Sequence, residues 1–219
     1  MPRQSRIDAP LALHHIIIRG IERKAIFKND TDREDFIERL SLIFEETLTP
    51  CYAWALMPNH VHLLLRTCSV PIASIMRRLL TGHAVRFNRR HGRSGHLFQN
   101  RYKSILCQED AYLTQLVGYI HLNPFRAKMV NDVEALQRYP FTGHSTLMGH
   151  TSHSWQDAQY VLALFGKTTD AARRNLEMRM RQWATRGRCP ELTGGGLVRS
   201  SGGWRAVKAA HREGIRLRG

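Results

Sequence analysis

Two periods of apolar and polar positions divide the first two thirds of the chain. Leu11-Ala12-Leu13-His14-His15-Ile16-Ile17-Ile18-Arg19 is a β-branched apolar run that ends at Gly20, and it predicts a buried first strand. Asn29-Asp30-Thr31-Asp32 offers helix-cap chemistry, and Phe36, Ile37, Leu40, Ile43, Phe44 and Leu48 follow at three- and four-residue spacing. These predict an amphipathic helix from Thr31 to Thr47 that stops before Pro50. Two further apolar runs, Cys51 to Met57 and His60 to Thr67, are separated by the turn pair Pro58-Asn59, as expected of an antiparallel hairpin. A second helix carries Ile72, Ile75, Met76, Leu79, Leu80 and Val85 as its apolar stripe and breaks at His91-Gly92-Arg93-Ser94-Gly95. Arg101 to Cys107 is a fourth strand, and Asp110 to Leu122 is a third helix with Leu113, Leu116, Val117 and Ile120 turned inward, stopped by Pro124.

The order β-α-β-β-α-β-α matches an α+β, ferredoxin-like layout, an antiparallel sheet with helices packed on one face. After Tyr139-Pro140-Phe141 the character changes. Residues 151–219 carry 13 Lys or Arg against 5 Asp or Glu, Ala171 to Trp183 fits a basic helix, and Gly194-Gly195-Gly196 with Gly202-Gly203 reads as flexible linkage. The expected division is therefore a folded domain over 1–150 and a basic, mostly helical or flexible extension over 151–219.

Charge sharpens this picture. With 33 Lys and Arg against 18 Asp and Glu, a formal net charge of +15, the chain calls for a polyanionic partner. An anionic membrane is the weaker choice, because no apolar run approaches the ~18–20 residues of a spanning helix and no signal-type segment follows Met1-Pro2-Arg3-Gln4-Ser5-Arg6. A cytoplasmic, nucleoid-associated protein is expected. Cys51, Cys68, Cys107 and Cys189 form no C-x-x-C pair, so neither a zinc finger nor a disulfide framework is indicated. No acidic residue lies between Glu46 and Glu109, whereas Arg77, Arg78, Arg86, Arg89, Arg90, Arg93, Arg101 and Lys103 all do. Solvated helix faces normally mix signs, so these residues are assigned to DNA phosphates.

Chemistry enters at Met57-Pro58-Asn59-His60-Val61-His62-Leu63-Leu64-Leu65. On a strand, alternate side chains share a face, so His60 and His62 point the same way and form half a site for a divalent metal. An H-x-H triplet is weak evidence by itself. On the third helix, Leu116-Val117-Gly118-Tyr119-Ile120-His121-Leu122-Asn123-Pro124 places Tyr119 and Asn123 four residues apart, on one helical face. A hydroxyl nucleophile and an oxygen ligand then face the sheet together. The bland alternatives are a core tyrosine and a helix-terminal asparagine.

The H-hydrophobic-H strand, the segment Gly95-His96-Leu97-Phe98-Gln99-Asn100-Arg101-Tyr102-Lys103 and the helix with Tyr-Ile-His-x-Asn-Pro resemble, in that order from about Leu13 to Tyr139, the REP-associated tyrosine transposases. These are relatives of the single-tyrosine insertion-sequence HUH transposases. The resemblance implies that His60 and His62 are metal ligands, Tyr119 the nucleophile and Asn123 the third ligand. It further implies Mg²⁺ or Mn²⁺, and single-stranded DNA substrates containing a palindromic hairpin. Cleavage would pass through a 5′-phosphotyrosine, and attack by another 3′-hydroxyl would rejoin the strands. Action as a monomer is preferred to a homodimer.

Tyr112, one residue short of two turns before Tyr119, is the reserve nucleophile. His121 is expected to face away, and Tyr102 to stack on DNA or fill the core. Two other functions compete. A rolling-circle initiator or relaxase would open circles without strand transfer, and a noncatalytic single-strand binder would carry aromatic strand motifs where His60 to Leu65 is aliphatic.

Overall fold

The structure, a computed structural model, describes residues 11–107 and 109–186, with 109–112 as backbone only. The glycine-rich stretch after Gly194 and the reserve tyrosine's side chain, Tyr112, lie outside the described residues.

The sheet is built around β1 (Leu13–Arg19), which pairs antiparallel with β3 (His60–Arg66) on one side and β4 (Lys103–Cys107) on the other. β2 (Cys51–Met57) pairs antiparallel with β3, giving the four-stranded order β2-β3-β1-β4 of a ferredoxin-like sheet. Asn29 opens α1 (Asp30–Thr47) by accepting from the Asp32 backbone N–H, and Asp30 and Asp32 sit where the helix dipole favours acids. The second helix is α2 (Ile72–Arg90) and the third is α3 (Glu109–His121). Pro124 does not simply end helical structure; it lies in the first turn of α4 (Asn123–Arg126), where its missing N–H costs nothing. Four more helices follow, α5 (Val133–Arg138), α6 (Gly143–Met148), α7 (Ala158–Ala163) and α8 (Thr169–Ala184).

The α+β class and the order of elements through α3 are those expected, but helices cover both faces of the sheet. Ile16, Ile18, Val61, Leu63 and Leu65 pack with α1 and α2 in one core. Leu13, Ala53, Ala55 and Leu64, on the alternate positions, pack with α3 and with α5 to α8 in a second. The cause is visible in β2, whose every residue is buried, as a continuous apolar run requires when both faces are covered. α8 therefore contributes Leu176, Met180 and Trp183 to the same core as the third helix.

Two residues leave their expected stripes. Leu48 is the left-handed cap that ends α1 and is exposed, and Val85 points outward while His83 and Phe87 continue the inner face of α2 from Leu79. The β2 edge is closed rather than open. The Leu56 N–H donates to the Phe141 carbonyl (3.0 Å), the Asp157 N–H to the Cys51 carbonyl (2.9 Å), and Trp54 Nε1 to Gln156 Oε1 (2.8 Å). Residues 141–157 thus occupy the edge at which another chain would otherwise pair.

Candidate active site

The turn Pro58-Asn59 delivers the chain into β3, and strand alternation directs His60, His62 and Leu64 to the α3 face of the sheet. Register adds a third imidazole. His62 stands opposite Ile17 on β1 and Leu64 opposite His15, so His15 is the diagonal neighbour of His62 on the same face. His15 Nε2 lies 2.8 Å from His62 Nδ1, and the two rings stack with centroids 5.1 Å apart. The His60 and His62 centroids are 5.0 Å apart.

α3 lays Tyr119 against this group. Its ring meets His62 edge-on, with centroids at 6.0 Å and planes at 90°, and meets His15 at 6.2 Å and 76°. Asn123 is turned back onto the end of α3, donating from Nδ2 to the Tyr119 carbonyl (2.9 Å) and the Ile120 carbonyl (3.0 Å). Because those contacts demand the NH₂ end, Oδ1 is the end left to accept a proton or a cation. Arg126 of α4 places its guanidinium 5.5 Å from the centre of the Tyr119 ring, and its Nη1 is buried without a hydrogen-bond partner among the described residues.

Burial decides the charge state of the histidines. It pushes His15 down to about 3, with Lys103 adding to the effect, and His60 down to about 4, with help from Arg19. His62 is driven well below its ordinary value by burial and then by His15, His60 and Arg19. All three are neutral at neutral pH, so each keeps one ring lone pair.

The fold thus gathers His60, His62 and Tyr119 with His15 on one face, sets Asn59 beside His60 and Arg126 over Tyr119, and holds Asn123 at the end of α3 against the Tyr119 carbonyl. Arg126 had a signal, since it continues the 119 and 123 spacing by three residues. His15 had none without the register.

The basic residues divide differently. Lys103 pairs with Ile17 and so occupies the histidine face at the sheet edge. α2 lies on the opposite face, and the acids absent from its own stretch are supplied by α1. Arg78 binds Glu46 in two places, Arg86 reaches Asp35 (3.0 Å) and Glu38 (3.2 Å), and Arg90 reaches Asp32 (2.8 Å) and Asp35. Arg93 donates to Asn88 Oδ1 (3.3 Å) and covers the Phe87 ring. Arg77, Arg89 and Arg101 are exposed and form no ion pair among the described residues. Arg77 and Arg101 line a groove of about 1000 Å³ between α2 and the segment 95–102. Tyr102 is a core residue, and His121 is fully buried beside His144, turned away as expected.

Among the described residues no cluster of three or more His, Cys, Asp and Glu is arranged to hold a metal. The donor types still fit a divalent cation: two neutral imidazoles side by side on β3 and, at the end of α3, the amide oxygen of Asn123, the remaining positions being left for water and phosphate oxygens.

A ferredoxin-like sheet bearing a His-x-His strand, faced by a helical tyrosine, defines the class. Residues 10–123 match the family model for IS200-like transposases, and the chain belongs to that family. The fold is similar to that of a REP-associated tyrosine transposase solved with a REP hairpin bound, at 15% identity and a TM-score of 0.55 over 71% of this chain and 91% of that one. A candidate transposase of Deinococcus radiodurans R1 is also similar, at 18% identity and a TM-score of 0.38 over 62% of this chain and 98% of that one. No curated protein matches the chain. No helix among the described residues is long and apolar enough to cross a membrane.

Proposed function

We propose that this transposase cleaves and rejoins single-stranded DNA through Tyr119, with His60, His62 and Asn123 holding Mg²⁺ or Mn²⁺. The observation that carries this reading is the packing of Tyr119 edge-on against neutral His62. A potential nucleophile and potential metal ligands share one face of the sheet, where burial keeps all three imidazoles uncharged.

A bound divalent ion would offset charge on a nonbridging phosphate oxygen. Tyr119 then attacks phosphorus, the bond to the 3′ oxygen breaks, and a 5′-phosphotyrosine forms. The phenol loses one proton and the departing 3′ oxygen gains one, so the step is proton-neutral. A second 3′-hydroxyl reverses it on a new strand, and the phosphotyrosine conserves the bond energy between the two steps. Arg126 supplies fixed positive charge beside the nucleophile. Hairpin DNA as substrate is supported by the hairpin bound to the structurally similar transposase, and the net charge of +15 suits any such polyanion. Tyr119 packs against His62 within one chain, so the proposed chemistry calls for no residue from a second copy.

The test is incubation with hairpin-bearing single-stranded DNA and Mn²⁺, followed by a denaturing gel. Wild type should form a protein–DNA adduct. Tyr119→Phe should form none while retaining hairpin binding, and His60→Ala with His62→Ala should lose the Mn²⁺-dependent adduct. An adduct that persists in Tyr119→Phe would move the nucleophile elsewhere, to Tyr112 first.

A further inference from the structure

We propose that Asn59 and His15 are positioning residues that hold His60 and His62 in the Nδ1-protonated tautomer, so that each presents a bare Nε2 to a divalent cation. The inference rests on the metal role given to His60 and His62 above, and assigns tasks to two residues outside the ligand set.

For His60 the hydrogen bonds allow one answer. Asn59 Nδ2 donates to the Arg23 carbonyl at 2.9 Å, which fixes the orientation of its amide. Its Oδ1, which can only accept, lies 2.7 Å from His60 Nδ1. That nitrogen must carry the proton. A neutral imidazole has only one, so His60 Nε2 is a lone pair, and it makes no hydrogen bond to any described residue.

For His62 the partner is another imidazole, and two arrangements satisfy the 2.8 Å contact between His15 Nε2 and His62 Nδ1. If His15 donates, the proton of His62 sits on Nε2 and blocks it. If His62 donates, Nε2 is bare, and the single proton of His15 moves to Nδ1, which is buried without a partner. An orphaned N–H is the costlier defect, so the first arrangement is favoured without a cation. A cation at His62 Nε2 reverses the order. Both arrangements contain one proton per ring, so the change relocates protons without changing the charge of the pair. Metal ligands of this kind are ordinarily held by a hydrogen bond to the second ring nitrogen. Asn59 provides a fixed version on β3 and His15 a switchable one from β1.

The experiment combines ¹⁵N NMR of the imidazoles in the full chain with Mn²⁺ affinity measured by calorimetry, both without DNA. His60 should be Nδ1-protonated in wild type before any metal is added. His62 should pass from Nε2-protonated to Nδ1-protonated on titration with the diamagnetic ion Mg²⁺. Asn59→Ala should release His60 to the other tautomer and weaken Mn²⁺ roughly 10-fold or more, whereas Asn59→Asp, still an acceptor, should retain both. His15→Phe should weaken Mn²⁺ similarly, and His15→Gln, which keeps an acceptor near the position of Nε2, should recover most of the loss. Should His15→Phe not fold, the Asn59 pair and the wild-type tautomers decide the matter. An Nε2-protonated His60 in wild type, or Asn59→Ala and His15→Phe proteins that bind Mn²⁺ like wild type, would overturn the positioning roles and leave the metal reading intact. A wild type that binds no Mn²⁺ would overturn both.

Discussion

The guanidinium of Arg126 lies over the ring of Tyr119, 5.5 Å from its centre, and one of its nitrogens is buried with no partner among the described residues. A buried cationic donor without an acceptor is costly, and a phosphate or a developing phenolate would satisfy it. Arg126→Gln is therefore expected to slow adduct formation ~100-fold at saturating DNA, the scale of losing one preorganised donor to transition-state charge. Arg126→Lys should recover part of that rate. Equal single-turnover rates for wild type and Arg126→Gln would confine Arg126 to packing.

Gly118 precedes the proposed nucleophile and lets α8 approach α3. A Cβ at this position would lie 2.2 Å from Cε3 and 2.3 Å from Cζ3 of Trp183, so the indole rests on the bare glycine backbone. Gly118→Ala should cost about 1–3 kcal/mol by overpacking and push α3 or α8 aside. Pairing it with Trp183→Leu should recover stability, as a double-mutant cycle read by urea denaturation would show. Additive losses would mean that the two residues do not share a contact.

How much of this was legible depended on how local each relationship is. His60 and His62 needed only the two-residue period of a strand, and Tyr119 and Asn123 only the four-residue period of a helix. His15 joins them through a diagonal across β1 and β3, which no spacing encodes. The second covered face was missed because α5, α6 and α7 are six residues each, too short for a stripe to emerge. The ion pairs of α2 were hidden for a related reason: Glu46, Asp35 and Asp32 lie outside the acid-free stretch in sequence and against it in space. Val85 stands five residues beyond Leu80, off the three- and four-residue spacing of the stripe, and α2 turns it outward at 64% exposure.

His121 and His144 predict the response to acid. Their rings are 5.7 Å apart, all four ring nitrogens are buried without partners among the described residues, and burial drives both below the ordinary histidine value, His144 to about 4. The unfolded chain takes up protons near pH ~6.5 that the folded chain refuses. Stability from this pair is therefore complete above that pH and is lost progressively as pH falls toward 4. His144→Phe should be near neutral at pH 7.5, since it removes unsatisfied polar atoms, and relatively stabilising at pH 5 by on the order of 1–3 kcal/mol. Urea midpoints at the two pH values check this. Parallel pH dependences for wild type and variant would show that His144 is not the titrating group.

The last prediction separates two kinds of arginine on and beside α2. Arg86 and Arg90 are committed to α1, and Arg90 serves an Asp32 that is fully buried. Burial alone would raise the Asp32 carboxyl, but the Lys28 N–H, Arg90 and His91 together hold it below the usual range. Removing Arg90 leaves that buried carboxylate short of a donor, so Arg86→Gln with Arg90→Gln should cost about 1–3 kcal/mol of stability and leave the salt dependence of DNA binding unchanged. Arg77, Arg89 and Arg101 have no such ion pair among the described residues. If they meet phosphates, changing all three to Gln should leave the melting temperature within a degree or two and flatten the slope of log K against log salt by roughly 2, at about 0.7 per lost single-strand contact. Melting curves and hairpin binding at several salt concentrations, run on both variants, give four readouts. A flattened slope in the Arg86 and Arg90 variant would show that those ion pairs open to receive DNA. An unchanged slope in the Arg77, Arg89 and Arg101 variant would confine phosphate contact to the opposite face, where Lys103 lies beside the histidines.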